Sequence, residues 1–458
     1  MDDVDQNAGR PELVRARKRM GMSQDQISAA LWVSSTTWSR WERGHQDIRP
    51  VYRARMAEVF GVDAAEVERW IEGTDPVDTE AWLLPDFSDL SLGATVEAAG
   101  RLWRCDVDPD RRHILAALPF VPAALGGWLS EWSYGTPIAS VAYQGSGSAV
   151  GLSDVRRITE TRQAFSQMDH RFGAGMIRPA VVDYLYGTVE PLLRGRYNDQ
   201  VGAALMTAAA GMTLQAGWTA FDLGHHGQAQ HYFGQALKLA KAGNDSLTGA
   251  WILTTMTIQA IYLEQPAWAV RLARATVDTA QRAQAPPRVM AQLLSREAWA
   301  TALQVKMSEA GDGHGVKRVE QLLGEVERLY AQGSSDRDPS WTEWYESTEP
   351  VAEAGICWSL IGDHRRSVDC VETVLREYGE RRFRSAQLSR VSVADAYLGL
   401  GEIEQAVDSV RTAIPMARSL ASPRLLGRIR KFSDRLEPYA TTIRVKEFRA
   451  YLNSELTS

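Results

Sequence analysis

The sequence has few cysteines and no apolar run long enough to cross a membrane. Its 458 residues include three cysteines, Cys105, Cys357 and Cys370, too few for a disulfide-dense secreted scaffold. The longest nearly uncharged apolar stretch, residues 116–129, has about 14 residues, whereas a membrane-spanning helix needs about 20. The first ten residues are polar and acidic and lack the hydrophobic segment of a secretion signal. These features predict a cytoplasmic protein that does not contact a membrane.

The sequence also lacks the short motifs that most often mark an enzyme or a metal site. It has no G-x-S-x-G, phosphate-binding loop, H-E-x-x-H or paired C-x-x-C. Cys357 and Cys370 flank His364 and could begin a zinc site, but no fourth ligand is evident, so buried structural thiols are the better interpretation. We therefore predict no catalytic activity, no metal and no cofactor.

Charge is distributed unevenly along the chain. The net charge of −6, taken alone, argues against binding to nucleic acid. Residues 10–55, however, contain ten Lys or Arg and four Asp or Glu, a net charge of +6 that leaves −12 for the other 412 residues. A compact basic segment on an acidic body is the pattern expected when a DNA-binding module is joined to another domain.

The basic segment predicts a bundle of short helices. Apolar residues recur at helical spacing between residues 11 and 72, and each run is bounded by capping residues or glycine. Five helices are predicted. The first starts at Pro11 and ends at Gly21, the second starts after the N-cap Ser23 with Gln26 as its capping-box partner, and the third starts at Ser34 or Ser35 and ends at Gly44. The fourth covers Pro50 to Phe60, and the fifth starts after the N-cap Asp63 with Glu66 at the capping-box position.

Met22–Gly44, with the sequence MSQDQISAALWVSSTTWSRWERG, resembles the helix-turn-helix of the Cro/phage-repressor (XRE) family. The features that carry the resemblance are the Ser-Gln opening, the Val33-Ser34 turn and the closing Trp-Glu-Arg-Gly. The resemblance covers about residues 10–72. It implies a five-helix, lambda-repressor-like domain that places its third helix in the major groove of double-stranded DNA.

The resemblance also implies which residues contact DNA. Ser35, Thr36 and Arg40 would read bases, with Ser34 and Ser39 beside them, and an arginine can donate two hydrogen bonds to guanine O6 and N7. Gln24 and Arg43 would contact phosphates, and a salt bridge between Arg17 and Glu42 would join the first helix to the end of the third. The alternative is a polar helix face that only meets solvent. The DNA-binding residues carried over by position are Gln24, Ser34, Ser35, Thr36, Ser39, Arg40 and Arg43.

Two residues depart from the family pattern. Trp32 stands where the family usually has glycine, in the turn after the second helix, and Ser28 stands where it usually has alanine. If the backbone of Trp32 has a positive φ, the bulky side chain costs about 1 kcal/mol or more. A tryptophan at this turn could also pack on another domain.

The C-terminal part contains a repeated spacing of small residues. Mostly small residues stand at successive intervals of 7, 5, 4 and 3 in residues 217–237 and in residues 394–414. The same intervals recur in a series that starts at Gly355 and, more weakly, in one that starts at Thr257. This spacing resembles the tetratricopeptide repeat, in which small residues lie where two helices cross and glycine suits the turn between them. The resemblance covers about residues 177–437 and implies a helical-repeat solenoid.

In such a solenoid, the first helix of each repeat lines the concave face. The inward positions form an aromatic and apolar strip that could bind a ligand or a partner helix, could be covered by another part of the chain, or could be buried core. The chain has only four asparagines, which disfavours a clamp on a peptide backbone. The predicted groove residues are Leu214, Trp218, Phe221, Trp251, Thr254 and Ile258.

Together these features predict an all-α protein with three regions. Residues 1–73 form the DNA-binding domain, residues 74–176 a linker and helical region of unknown role, and residues 177–458 the repeat domain. The combination resembles regulators common in filamentous actinobacteria. It implies a sequence-specific, homodimeric transcriptional regulator whose repeat domain mediates dimerisation or senses a peptide, small-molecule or protein signal. The alternative is a protein-interaction scaffold whose repeat groove binds a partner protein, with DNA binding secondary.

Overall fold

The fold is built almost entirely of α-helices, as the sequence predicts. A computed structural model describes residues 10–62, 64, 67, 70–71, 91–136, 138–145, 147–308, 312–378, 383–419 and 422–457. Within this part of the chain, the strands are one antiparallel pair of two residues each, β1 (Tyr143–Gln144) and β2 (Arg196–Tyr197). The chain divides into two compact units, Met1–Leu84 and Pro85–Ser458.

The first unit contains the four helices that the N-terminal capping signals predict. A capping box is present at Ser23, whose hydroxyl accepts from the N–H of Gln26 while the Gln26 side chain accepts from the N–H of Ser23. Helical residues also occur at 64, 67 and 70–71, whereas Asp63 and Glu66 lie outside the described residues. The helices are α1 (Pro11–Arg19), α2 (Gln24–Leu31), α3 (Ser35–Glu42) and α4 (Pro50–Phe60).

The core of the first unit is centred on two tryptophans from α3. Trp38 and Trp41 are buried, and their rings meet edge to face with centroids 6.2 Å apart. Phe60, at the end of α4, packs on Trp38 and on Trp70. Burial of these large rings stabilises the small unit and fixes the rotation of α3 about its axis.

The second unit begins with helices from the region to which the sequence assigned no role. They are α5 (Leu92–Val107), α6 (Pro109–Ala117), α7 (Ala124–Tyr134), α8 (Leu152–Phe172), α9 (Ala174–Tyr184) and α10 (Glu190–Leu193), with one π-helical turn, Leu185–Val189, between the last two.

The remaining helices follow one another with short connections, and most consecutive helices pack against each other. They are α11 (Asp199–Asp222), α12 (His226–Ala242), α13 (Ser246–Tyr262), α14 (Pro266–Arg282), α15 (Pro287–Lys306), α16 (Gly313–Tyr330), α17 (Thr348–Leu360), α18 (His364–Glu377), α19 (Phe383–Gly399), α20 (Ile403–Ser419), α21 (Pro423–Arg435) and α22 (Ile443–Thr457), with 3₁₀ turns at Ser340–Thr342 and Glu437–Tyr439.

The repeated small residues lie where paired helices cross. A Cβ atom on Gly217 of α11 would stand 2.6 Å from the ring of Phe233 of α12, and one on Gly355 of α17 would stand 2.7 Å from Val371 of α18. Both distances are shorter than van der Waals contact, so the close approach of the helices requires glycine. The glycines of the turns that follow have positive φ, namely Gly224, Gly362 and Gly401.

Helices α5–α7 pack on the repeat helices through buried hydrogen bonds. Gln235 of α12 donates to the carbonyl of Thr95 of α5 at 2.9 Å. Asp106, at the end of α5, accepts hydrogen bonds from Arg178 of α9 and from the hydroxyl of Tyr232 of α12. Asp106 is only 2% exposed. The described residues between 91 and 176 therefore belong to the same compact unit as the repeats.

We expect Asp106→Ala to destabilise the second unit strongly. The substitution leaves the buried Arg178 guanidinium without its carboxylate, a change that typically costs about 3–5 kcal/mol. Urea unfolding followed by circular dichroism measures the loss. The control is Glu325→Ala, which removes an exposed carboxylate paired with Arg328 one turn away and should change stability little. Equal effects of the two substitutions would contradict the importance of the buried pair.

Candidate nucleic-acid interface

Helix α3 presents a polar face opposite its buried tryptophans. Ser35, Thr36 and Arg40 are exposed, and their side chains form no hydrogen bond or ion pair with the described residues. Ser34 is the N-cap, and its hydroxyl accepts from the N–H of Thr37 at 3.0 Å. Three of the predicted base-contacting side chains are therefore free to bind a ligand, whereas Ser34 also holds the start of the helix.

Arg43 and Ser39 interact at the end of α3. The Nη2 of Arg43 donates to the Ser39 hydroxyl at 2.7 Å, and its Nε donates to the Ser39 carbonyl at 3.2 Å. Both contacts orient the exposed guanidinium. Ser39, which the sequence grouped with the base-contacting residues, is thus engaged in positioning Arg43.

A buried carboxylate joins the first three helices. Glu42 is 6% exposed and accepts from the Nε of Arg17 at 2.7 Å, which is the salt bridge that the sequence predicts. Its second oxygen accepts from the side-chain amide of Gln24. The Gln24 side chain is therefore engaged within the unit, and the predicted phosphate contact at Gln24 is left to the N–H groups of Gln24 and Asp25, since that of Gln26 donates to Ser23.

Not all of the basic residues are available to a ligand. Arg10 donates to the carbonyl oxygens of Trp41, Gln46 and Ile71. It thereby connects the residue before α1 to α3, to the loop after α3 and to Ile71. Arg17 is similarly committed to Glu42. Arg40, Arg43 and Arg49 are exposed, as is Lys18. The exposed cationic surface therefore contains fewer residues than the count of Lys and Arg implies, and α3 and its C-cap supply Arg40 and Arg43.

The backbone of Trp32 is in the left-handed region, the case in which its bulky side chain carries a steric cost. Its φ is 59° and its ψ 43°, the left-handed region, and it forms the C-cap of α2. The side chain is 79% exposed, and the guanidinium carbon of Arg55 lies 4.6 Å from the ring centroid. This cation–π contact with α4 offsets part of the backbone strain.

Three of the predicted groove residues of the repeats make side-chain contacts with other parts of the chain. The indole N–H of Trp218 donates to Asp169 of α8 at 3.1 Å, and the Arg424 guanidinium of α21 lies over the rings of Trp218 and Phe221. Trp251 stacks on Trp341. Leu214, Phe221 and Thr254 are buried, while Trp218, Trp251 and Ile258 are half-buried.

For Trp218 and Phe221 the structure shows the alternative in which another part of the chain covers the strip. Helices α8 and α21 pack on α11 and contact these two residues, whereas the ligand-binding prediction for the groove stays a prediction. The sequence left this alternative open. It could not be chosen from the sequence, because the covering helices are separated from α11 by tens to hundreds of residues.

The structure also bears on the possible metal site and on membranes. Among the described residues, no group of three or more His, Cys, Asp or Glu side chains has the arrangement of a metal site. Cys357 is buried, and burial raises the pKa of its thiol well above the usual value. No helix in the described ranges is both long and apolar enough to cross a membrane.

One family model matches a segment within the first unit. Residues 12–70 match the model of a family described as a helix-turn-helix domain. The matched segment contains most of α1 and all of α2–α4, and it supports a DNA-binding regulator. A comparison with curated proteins gave no match. The chain thus carries a helix-turn-helix domain, and the matched residues end before the second unit begins.

We expect Trp32→Ala and Trp32→Gly to differ in stability. Both remove the contact with Arg55, but only glycine adopts a positive φ without steric cost, so the glycine variant should be more stable by about 1 kcal/mol. Thermal unfolding of the two variants measures the difference. Equal stability would show that the backbone at Trp32 is not strained.

Proposed function

We propose that the protein is a sequence-specific transcriptional regulator of the XRE type, acting in the cytoplasm as a homodimer on double-stranded DNA. The observation that carries this proposal is the exposed face of α3, where Ser35, Thr36 and Arg40 have no partner within the described chain while Trp38 and Trp41 are buried behind them. The helix-turn-helix family match covers the same helix.

We further propose that the second unit is a divergent tetratricopeptide-like array that dimerises, receives a signal, or does both. Support comes from the consecutive helix pairs and from the glycines at their crossings. Two copies related by a twofold axis would present two α3 helices to half-sites about one helical turn of DNA apart. The acidic charge of the remaining chain would repel DNA and confine contact to the basic face.

Selection of random oligonucleotides with the purified full-length chain tests this function. Enrichment of a palindromic consensus would support a dimeric, sequence-specific reader. The absence of enrichment, together with a protein that co-purifies with the chain, would instead support the alternative of a scaffold. Repeating the selection with cell extract shows whether a signal changes the DNA affinity.

We expect Arg40→Ala to lower affinity for the selected site and to relax the preference at one base pair. Loss of a bidentate contact to guanine typically costs about 1–3 kcal/mol, and the loss should nearly vanish on a site in which that base pair is changed. Fluorescence anisotropy with the two duplexes measures it. Arg328→Ala, an exposed substitution in α16, is the control. Unchanged base preference in Arg40→Ala would remove Arg40 from the reading role.

Arg43 should act differently from Arg40. Arg43→Ala should weaken binding to all sequences alike and reduce the slope of log affinity against log salt by about 1, because one phosphate contact is lost. Ser39→Ala keeps the charge but removes the hydroxyl to which Arg43 donates. We expect a smaller loss with an unchanged salt slope. A salt slope unaffected by Arg43→Ala would contradict the phosphate contact.

A further inference from the structure

The second unit buries an arginine that has no acceptor. Arg162 of α8 is 7% exposed, and its guanidinium forms no hydrogen bond or ion pair with any described residue. Its guanidinium carbon lies 4.9 Å from the ring centroid of the Trp251 indole. Stacking on one face of an indole offsets only part of the hydration that a mostly buried guanidinium loses. Its five N–H donors have no acceptor among the described residues, and its nitrogen atoms are not fully enclosed by protein.

The surroundings of Arg162 are shaped by a glycine and by stacked rings. A Cβ atom on Gly211 of α11 would lie 3.2 Å from Cδ of Arg162 and 3.7 Å from the indole of Trp251, so glycine gives both side chains room to meet. Trp251 also stacks on Trp341 with a centroid distance of 5.5 Å and nearly parallel planes. The indole that meets the guanidinium is thus itself packed against a second indole.

Two further polar side chains on the neighbouring helices also have no partner. Gln215 lies one turn beyond Gly211 on α11, is 7% exposed, and makes no hydrogen bond with the described residues. Thr254 lies one turn beyond Trp251 on α13, and its buried hydroxyl is unpaired. Buried polar groups are normally hydrogen-bonded. The Thr254 hydroxyl is a fully enclosed exception, whereas the polar atoms of Arg162 and Gln215 lack a partner among the described residues but are not fully enclosed by protein.

The nearest acidic group does not provide that explanation. The exposed carboxylate of Glu343 is close enough to favour the charged form of Arg162, but it does not form an ion pair with it. Burial lowers the pKa of the Arg162 guanidinium, although an arginine remains protonated in proteins. The arrangement combines a fixed positive charge with neutral hydrogen-bonding groups on the two helices that contact it, which is the chemistry that recognises an oxyanion.

We propose that Arg162, Gln215 and Thr254 bind the oxyanion group of a small molecule, a carboxylate or a phosphate, at the N–H edge of the guanidinium that is stacked on Trp251. Arg162 supplies the charge and a forked pair of N–H donors, while the amide of Gln215 and the hydroxyl of Thr254 supply neutral hydrogen bonds. The proposal deepens the signal-receiving part of the proposed function, on which its regulatory meaning rests, by naming the chemical class of the signal.

The test measures anion binding to the full-length protein without DNA. Inorganic phosphate, acetate and benzoate are each titrated against sodium chloride of equal ionic strength, and the thermal unfolding midpoint and the heat of binding are recorded. We expect saturable binding of phosphate or of the carboxylates. Comparing phosphate with acetate and benzoate shows which kind of oxyanion the site binds. No saturable binding of any of the three probes would overturn the proposal.

Three variants and a matched control assign the binding to Arg162. Arg162→Gln should weaken it at least tenfold, and Arg162→Lys, which keeps the charge but not the fork, should weaken it less. Glu343→Gln should strengthen it, because a nearby negative charge is removed. Arg171→Gln, which removes an exposed arginine of α8 stacked on Phe172, should leave it unchanged. Equal binding by wild type and Arg162→Gln would overturn the assignment.

Folding and DNA binding are measured on the same preparations. Circular dichroism shows whether each variant is folded, and the lysine variant keeps the test valid if the glutamine variant unfolds. If the protein binds anions but selects no DNA sequence, the proposed regulatory function is contradicted and the anion site stands. If it selects a DNA sequence but binds no anion, only the anion site is contradicted.

Discussion

Trp38 and Trp41 are buried on the same side of α3, and this burial decides which side chains of the helix can face outward. A helix of eight residues is too short to be stable alone, so its position depends on packing rather than on intrinsic propensity. Rotation of α3 would expose two indoles to water. The polar face with Arg40 is therefore held rigidly, which is the condition for reading bases by hydrogen bonds.

Buried charges with partners connect parts of the chain that are distant in sequence. Glu42 joins α1, α2 and α3 through Arg17 and Gln24, and Asp106 joins α5, α9 and α12 through Arg178 and Tyr232. Such pairs specify one arrangement of the helices, since a misplaced partner would leave a charge buried and unpaired. Arg162 stands out against this pattern, and its unmet donors support a ligand in place of a side-chain partner.

Much of the fold could be predicted because its determinants are local in sequence. Ser23 and Gln26 form the predicted capping box, Trp32 has the positive φ that its place in the turn requires, and Arg17 pairs with Glu42. Gly217 and Gly355 lie at helix crossings, as the spacing of small residues indicates. Each signal acts over a few residues or over one helix pair, so it can be read without knowing the rest of the fold.

What the sequence by itself determined is therefore the helical class, the helix-turn-helix and the paired helices that follow it in the chain. Only the tertiary structure decided that Ser39 holds Arg43, that Gln24 is engaged by Glu42, and that α8 and α21 cover Trp218. The physical reason is that a periodic pattern shows which side of a helix is apolar but not what covers it. Helices far apart in the chain compete for the same apolar strip, and only their packing in three dimensions selects among them.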